Sequence, residues 1–239
     1  MVAVLLLAGC GGGEGDDELV VSGASSLQTA FTGYGDDFGD VRFSFAGSDE
    51  LAAQIEQGAK VDVFASANTS LPDELFDKGL VEKPVVFAGN RLVLAVPADG
   101  SVKSFDDVAA SGVKLAIGSE GVPVGDYTRD LLGELPAAQS RAILGNVRSE
   151  EPDVKGIVGK LTQGAVDAGF VYATDVVAAG DELKAIALPS GVDPSIAYGV
   201  AVVNDAEHAE DAQRFVDGLL DGEGRSRLEA AGFEPPPAS

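Results

Sequence analysis

Four short stretches of the chain put hydrogen-bond donors at the start of a helix: Ser25-Ser26, Gly47-Ser48, Pro123-Val124-Gly125 and Pro152-Asp153-Val154. The first turn of a helix leaves its backbone N–H groups without partners inside the helix. Those amides, the positive end of the helix dipole and any neighbouring hydroxyl together favour an anion. Each serine taken alone reads equally well as a plain N-cap. The recurrence of one construction along the chain is what points to a site. None of the four stretches contains Lys, Arg or His, so the implied cage is built from neutral donors. Donors without an acceptor suit a fully deprotonated anion, whose oxygens only accept.

The elements that must position these donors can be read from hydrophobic spacing. Leu19–Val21 is a short apolar run that stops at Ser22-Gly23, after which Leu27, Ala30, Phe31 and Tyr34 fall at i, i+3, i+4 and i+7. That is a buried strand, a tight turn carrying two hydroxyls, and an amphipathic helix. Val41–Ala46 alternates as a strand. The next helix opens at Asp49-Glu50 and presents Leu51, Ala52 and Ile55; Val61–Ala65 and Leu71–Lys78 follow as strand and helix. This β-α-β-α-β-α order belongs to a parallel sheet wrapped by helices.

Arg91–Val96 reads as a strong strand, and a second set begins after it. Its strands are expected at Lys114–Ile117, Ala168–Tyr172 and Leu183–Leu188, and its helices at Asp126–Leu135, Ala137–Leu144, Asp153–Gln163 and Ala173–Ala179. Ile196–Val203 is another long apolar strand, with amphipathic helices after it over Ala206–Leu220 and Arg225–Ala231. The expected fold class is α/β with two lobes, each a mostly parallel sheet flanked by helices, and a ligand cleft between them. The long strands near Arg91–Val96 and Ile196–Val203 would form the hinge. In open α/β sheets the loops after the carboxyl ends of the strands line one crevice, which is where the four donor stretches would meet.

Composition narrows the function. A chain of 239 residues with 45% hydrophobic content makes one large domain or two of about 100–150 residues each. The formal net charge of −23 argues against nucleic acid and against electrostatic attachment to anionic lipid. One His, one Cys and no Trp leave no Cys/His cluster for zinc, no disulfide framework and no Cys–His nucleophile pair. His208, inside the acidic run AEHAED, reads as a solvated helix residue. There is no G-x-S-x-G elbow, P-loop or G-x-G-x-x-G, so an enzyme is not expected, nor a cofactor.

The single cysteine has a context. Residues 1–10, MVAVLLLAGC, are an apolar run too short to span a bilayer. Leu7-Ala8-Gly9-Cys10 resembles the lipobox of a bacterial lipoprotein signal. That resemblance implies cleavage before Cys10 and acylation of its thiol, and hence an extracytoplasmic protein anchored to the cell membrane. No Lys or Arg precedes the run, which departs from the usual signal. Gly11–Asp17 reads as a flexible acidic tether.

Five further segments in order carry a resemblance over nearly all of Leu19–Phe233. They are GASSLQTAF at 23–31, FAGSDELAAQIEQGAKVDVFASA at 45–67, EGVPVGDYTRDLL at 120–132, PDVKGIV at 152–158 and GFVYATD at 169–175. Here the chain resembles the periplasmic molybdate-binding proteins of molybdate ABC importers, a family of type II solute-binding proteins. The resemblance implies capture of molybdate or tungstate for a permease, by a monomer. The family's ligand positions fall on the hydroxyls of Ser26, Ser48 and Tyr172 and on the backbone amides of Val124 and Val154. It also implies a discontinuous first lobe at 19–92 and 202–239 and a second at 93–201, after a signal and tether at 1–18. Asp49-Glu50 departs from the family, which tends to have small or hydroxyl residues after the second serine. The alternative function is a receptor for another oxyanion, such as sulfate or phosphate.

Overall fold

The computed structural model describes residues 18–192 and 194–237; Cys10 and the tether lie outside them. Two five-stranded sheets form two lobes. In the first, β1 (Leu19–Ala24) runs through a 3₁₀ turn at Ser25–Leu27 into α1 (Gln28–Phe38), β2 (Val41–Ala46) into α2 (Ser48–Glu56), and β3 (Val63–Ser66) into α3 (Ser70–Asp77). β4 (Val85–Asn90) closes this run, and Arg91 alone separates it from β5 (Leu92–Pro97) of the second sheet. The second lobe continues with β6 (Leu115–Gly118), α4 (Pro123–Glu134), α5 (Ala137–Leu144), β7 (Val147–Glu151), α6 (Val154–Thr162), β8 (Ala168–Tyr172), α7 (Ala173–Ala179) and β9 (Leu183–Ile186). The chain then returns through β10 (Ile196–Val202), α8 (Ala209–Leu220) and α9 (Glu223–Ala230).

The sheets share one plan. Their orders are β2-β1-β3-β10-β4 and β7-β6-β8-β5-β9. In each, three neighbouring strands are parallel and two at the other side are joined by antiparallel pairing. The sheets are therefore mixed. The expected division at 201/202 also needs correcting. Ile196–Val202 pairs with β3 and β4, so the return crossing lies before β10. In each sheet the antiparallel strand set between two others is the first one laid down after a crossing, β10 in the first and β5 in the second.

Two expectations missed elements. Val85–Asn90, directly before the strand expected at Arg91–Val96, was not anticipated as a strand. Val147–Glu151 is an edge strand whose sequence, VRSEE, carries no apolar alternation. His208 also differs from its expectation. It stands just before α8 with its ring Nδ1 3.2 Å from Asp62 Oδ2. Asp62 is buried and also accepts the amides of Val20 and His208.

Burial explains the layers. On one face of the first sheet Phe31, Tyr34, Phe215 and Leu219 pack from α1 and α8, with Phe31 and Phe215 edge to face at 5.5 Å. On the other, Leu51, Ile55, Phe64 and Leu75 form a separate cluster beneath α2 and α3. Among the described residues no helix is long and apolar enough to cross a membrane.

Candidate binding site

The helix starts that follow β1, β2, β6 and β7 all point at the gap between the lobes. Ser26, Ser48, Val124, Val154 and Tyr172 line one cavity there, with Ser25, Gly47, Pro123 and Asp153 beside them. The cavity is small, with about 10 Å³ of space open to the centre of a water-sized sphere, on the scale of a single water site. Its lining contains neither Lys, Arg nor His.

Ser48 is the first residue of α2, and its Oγ accepts the Ala67 amide at 3.1 Å. The hydroxyl proton is left to point elsewhere. Ser26 lies in the 3₁₀ turn after β1, with its Oγ 3.0 Å from Tyr198 Oη. Tyr172 ends β8 and is 1% exposed, and its hydroxyl has no hydrogen-bond partner among the described residues. Such a group costs about 1–3 kcal/mol to bury, and it faces the cavity. Burial, and then the neighbouring Tyr198, pushes its pKa well up, so it remains a neutral O–H donor at physiological pH.

The amides come from the two helices of the second lobe. Val124 is the second residue of α4, within the turn whose N–H groups have no helical acceptor. Pro123 begins that helix, where its missing N–H costs nothing. The approach of α4 to β6 requires Gly125, because a Cβ there would lie 2.1 Å from Ser119 O. Arg129 Nη1 fixes the same corner by donating to Gly118 O at 2.8 Å and Gly125 O at 3.1 Å. Val154 opens α6, and the Asp153 side chain caps that helix by accepting the Gly156 amide at 3.0 Å. Asp153 is the one ionisable residue in the lining besides Tyr172, and one of its oxygens is engaged in this cap.

Behind the cavity, Asp175 ties the second lobe's donors together. It is 1% exposed, accepts the Tyr172 amide at 3.2 Å and meets Lys155 Nζ at 3.1 Å. Burial raises its carboxyl above the ordinary value, and Lys155 opposes that rise. One carboxylate thus links the end of β8, the start of α7 and the first turn of α6.

The departure at Asp49-Glu50 lies outside the cavity lining, and Glu50 is exposed. Asp49 Oδ1 is buried without a partner. Burial raises that carboxyl, with Glu50 and, across the cleft, Asp126 adding to the effect. Sequence reasoning did not reach Ala67, Asn90 or Tyr198, which hold the serines. Tyr198 sits inside a strand that reads wholly as core, and Asn90 in a strand that was not anticipated.

Comparison with known proteins agrees with this geometry. The family model for bacterial extracellular solute-binding proteins matches residues 19–234. The molybdate-binding protein ModA of Mycobacterium tuberculosis H37Rv is 33% identical over 232 residues, covering 93% of this chain and 87% of that protein. A putative ABC transporter substrate-binding lipoprotein of Bacillus subtilis is 31% identical over 258 residues, covering 98% and 95%. Among solved structures, the periplasmic molybdate-binding protein of Azotobacter vinelandii superposes with a TM-score of 0.82 at 21% identity, covering 92% of this chain and all of that one.

Proposed function

Because the chain belongs to the bacterial extracellular solute-binding protein family, we propose that it captures molybdate and tungstate for an ABC importer. The observation that carries this reading is the polarity of the cavity. The Ser48 hydroxyl already accepts from Ala67, the Ser26 hydroxyl is bonded to Tyr198, and Tyr172 has no partner. With the first-turn amides of Val124 and Val154, donors dominate the polar lining; the one carboxylate there, Asp153, has one oxygen taken up in capping α6.

Molybdate and tungstate are dianions at neutral pH with no proton to place. Each charge-assisted hydrogen bond contributes about 1.5–3 kcal/mol. Five such bonds on a preorganised cage give a Kd of about a micromolar or tighter, after the cost of association. Hydrogen phosphate would bring an O–H into a site dominated by donors, and each O–H left unmatched there costs about 1–3 kcal/mol. Sulfate carries no proton, but its shorter bonds would stretch some contacts beyond good hydrogen-bond length. The expected order is tungstate about equal to molybdate, then sulfate, then phosphate. Competition calorimetry near about pH 7.5 tests it. Phosphate binding as tightly as molybdate would mean that an acceptor faces the ligand and that the proposed site is wrong.

In the same reading the protein works as a monomer outside the cytoplasmic membrane, delivers to a permease and is held by a lipid on Cys10. The similarity to a protein named as a lipoprotein supports the anchor. Intact-mass spectrometry of native protein tests it: a free Cys10 thiol on a chain that retains Met1 would overturn it.

A further inference from the structure

Resting on the oxyanion reading above, we infer that Asn90 and Tyr198 set the direction of the Ser26 hydroxyl, and thereby make the cavity select unprotonated oxyanions. These are positioning residues and neither lines the cavity.

The argument follows protons through one buried network. The Asn90 amide lies at the end of β4, where the chain crosses between lobes. Its Oδ1 accepts the backbone N–H of Arg91 at 2.9 Å. A backbone N–H can only donate, so this contact fixes which end of the amide faces it. The Asn90 NH₂ group is therefore turned the other way, toward Thr174 Oγ1 at 3.0 Å and Tyr198 Oη at 3.3 Å. An NH₂ group has no lone pair to offer. Tyr198 Oη is thus the acceptor in that pair and must send its own proton elsewhere.

Tyr198 is fully buried. Its other polar neighbour is Ser26 Oγ at 3.0 Å. The Tyr198 proton therefore goes to Ser26, which leaves the Ser26 proton to point into the cavity. A chain of donations runs from Asn90 through Tyr198 to Ser26, and ends on the ligand; the Arg91 N–H sets its direction by fixing the amide. Ser48 reaches the same polarity by a shorter path, through the Ala67 amide. Unlike that path, the Ser26 path can be reversed by changing one remote side chain.

Asn90→Asp reverses it. One carboxylate oxygen still accepts from Arg91, and the other accepts from both Thr174 and Tyr198. Tyr198 then presents a lone pair to Ser26, Ser26 turns its proton back, and the cavity gains an acceptor. At about pH 8 molybdate and hydrogen phosphate are both dianions, so the charge added by the substitution penalises both alike and the ratio of their affinities isolates the reversal. The expected result is a fall of about tenfold or more in the molybdate-to-phosphate affinity ratio, equivalent to one lost discrimination of about 1.4 kcal/mol. Tyr198→Phe should weaken molybdate several-fold without helping phosphate, and it serves if Asn90→Asp does not fold. An unchanged ratio in folded Asn90→Asp, or wild-type molybdate affinity in Tyr198→Phe, would overturn the inference.

A ligand-free readout separates this from failure of the oxyanion reading. In proton NMR the Tyr198 hydroxyl proton should exchange slowly and show cross-relaxation to the Ser26 β protons. If wild-type protein binds no oxyanion, that reading fails, but the relay still stands or falls on the cross-peak. A Tyr198 hydroxyl proton directed at Asn90 or Thr174 would refute it.

Discussion

In the proposed site Tyr172 and Ser48 would do the same work for a ligand, and they do opposite work for the fold. The Tyr172 hydroxyl is buried without a partner, so its burial opposes folding. Tyr172→Phe should weaken molybdate binding by about 1.5–3 kcal/mol, the loss of one donor to an anion. The same change should raise the melting temperature of the unliganded protein, because an unsatisfied polar atom is removed. Ser48→Ala should weaken binding to a similar degree and lower the melting temperature, because it orphans the Ala67 amide. Calorimetric titration and thermal unfolding of both variants check this. Equal stability shifts, or wild-type affinity in either variant, would contradict the roles assigned here. The two serines stood out in the sequence because each stands where a strand ends and a helix begins, whereas Tyr172 came only from the family resemblance. The supporting partners of the serines did not stand out. Tyr198 is 172 positions from Ser26 in the chain, and no local pattern records that contact.

The helix starts are set by close backbone approach. Gly125 lets α4 lie against β6, and its replacement by alanine would force a Cβ to within 2.1 Å of Ser119 O and 2.5 Å of Gly118 O. Both obstacles are backbone, so the helix start must move. Gly125→Ala should therefore destabilise the second lobe by about 1–3 kcal/mol and also lower affinity by displacing the Val124 amide. A variant with wild-type melting temperature and affinity would show that the corner has more room than its geometry implies. The same element explains what the sequence could and could not say. Val-Pro-Val-Gly before an amphipathic run signals a helix start, and that start is present. The assignment of strands to sheets was harder. β10 is as apolar as any central strand, yet its sequence does not tell which of two similar sheets receives it. The return of β10 to the first sheet is a property of connectivity, fixed only when both sheets are complete. VRSEE in β7 went unread because an edge strand packs little on either face.

At the scale of the molecule, acidity and closure both make testable demands. Asp49 and Asp175 hold carboxyls raised above their unfolded value of 3.8, burial being the main cause in each. In the window above that value the folded chain binds protons that the unfolded chain has lost. Stability from these groups is full below 3.8 and is lost as pH rises through their folded values. Asp107, whose carboxyl is lowered by backbone hydrogen bonds from Lys103 and Ser104, acts in the opposite sense, and only below the same 3.8. With a net charge of −23 adding self-repulsion at neutral pH, the melting temperature should rise on going from about pH 7 to about pH 5. A calorimetric series showing a steady fall over that range would refute the assignment. Closure turns on Gly47, which faces the second lobe. Its φ of −60° and ψ of 139° are open to any residue, so alanine there costs the isolated first lobe no backbone strain. A methyl group would nevertheless meet Pro152 O at 2.5 Å, and the Asp49 side chain at 2.7 Å. The Asp49 side chain can turn away, whereas Pro152 O is backbone at the threshold of α6. The methyl is therefore felt when the second lobe comes up against the first. If ligand capture is a hinge closure about the β4–β5 and β9–β10 crossings, Gly47→Ala should leave unliganded stability near wild type while lowering molybdate affinity about tenfold or more. Small-angle scattering should show ligand-induced compaction in wild type and less of it in the variant. Wild-type affinity together with wild-type compaction in Gly47→Ala would mean that the lobes bind without coming this close.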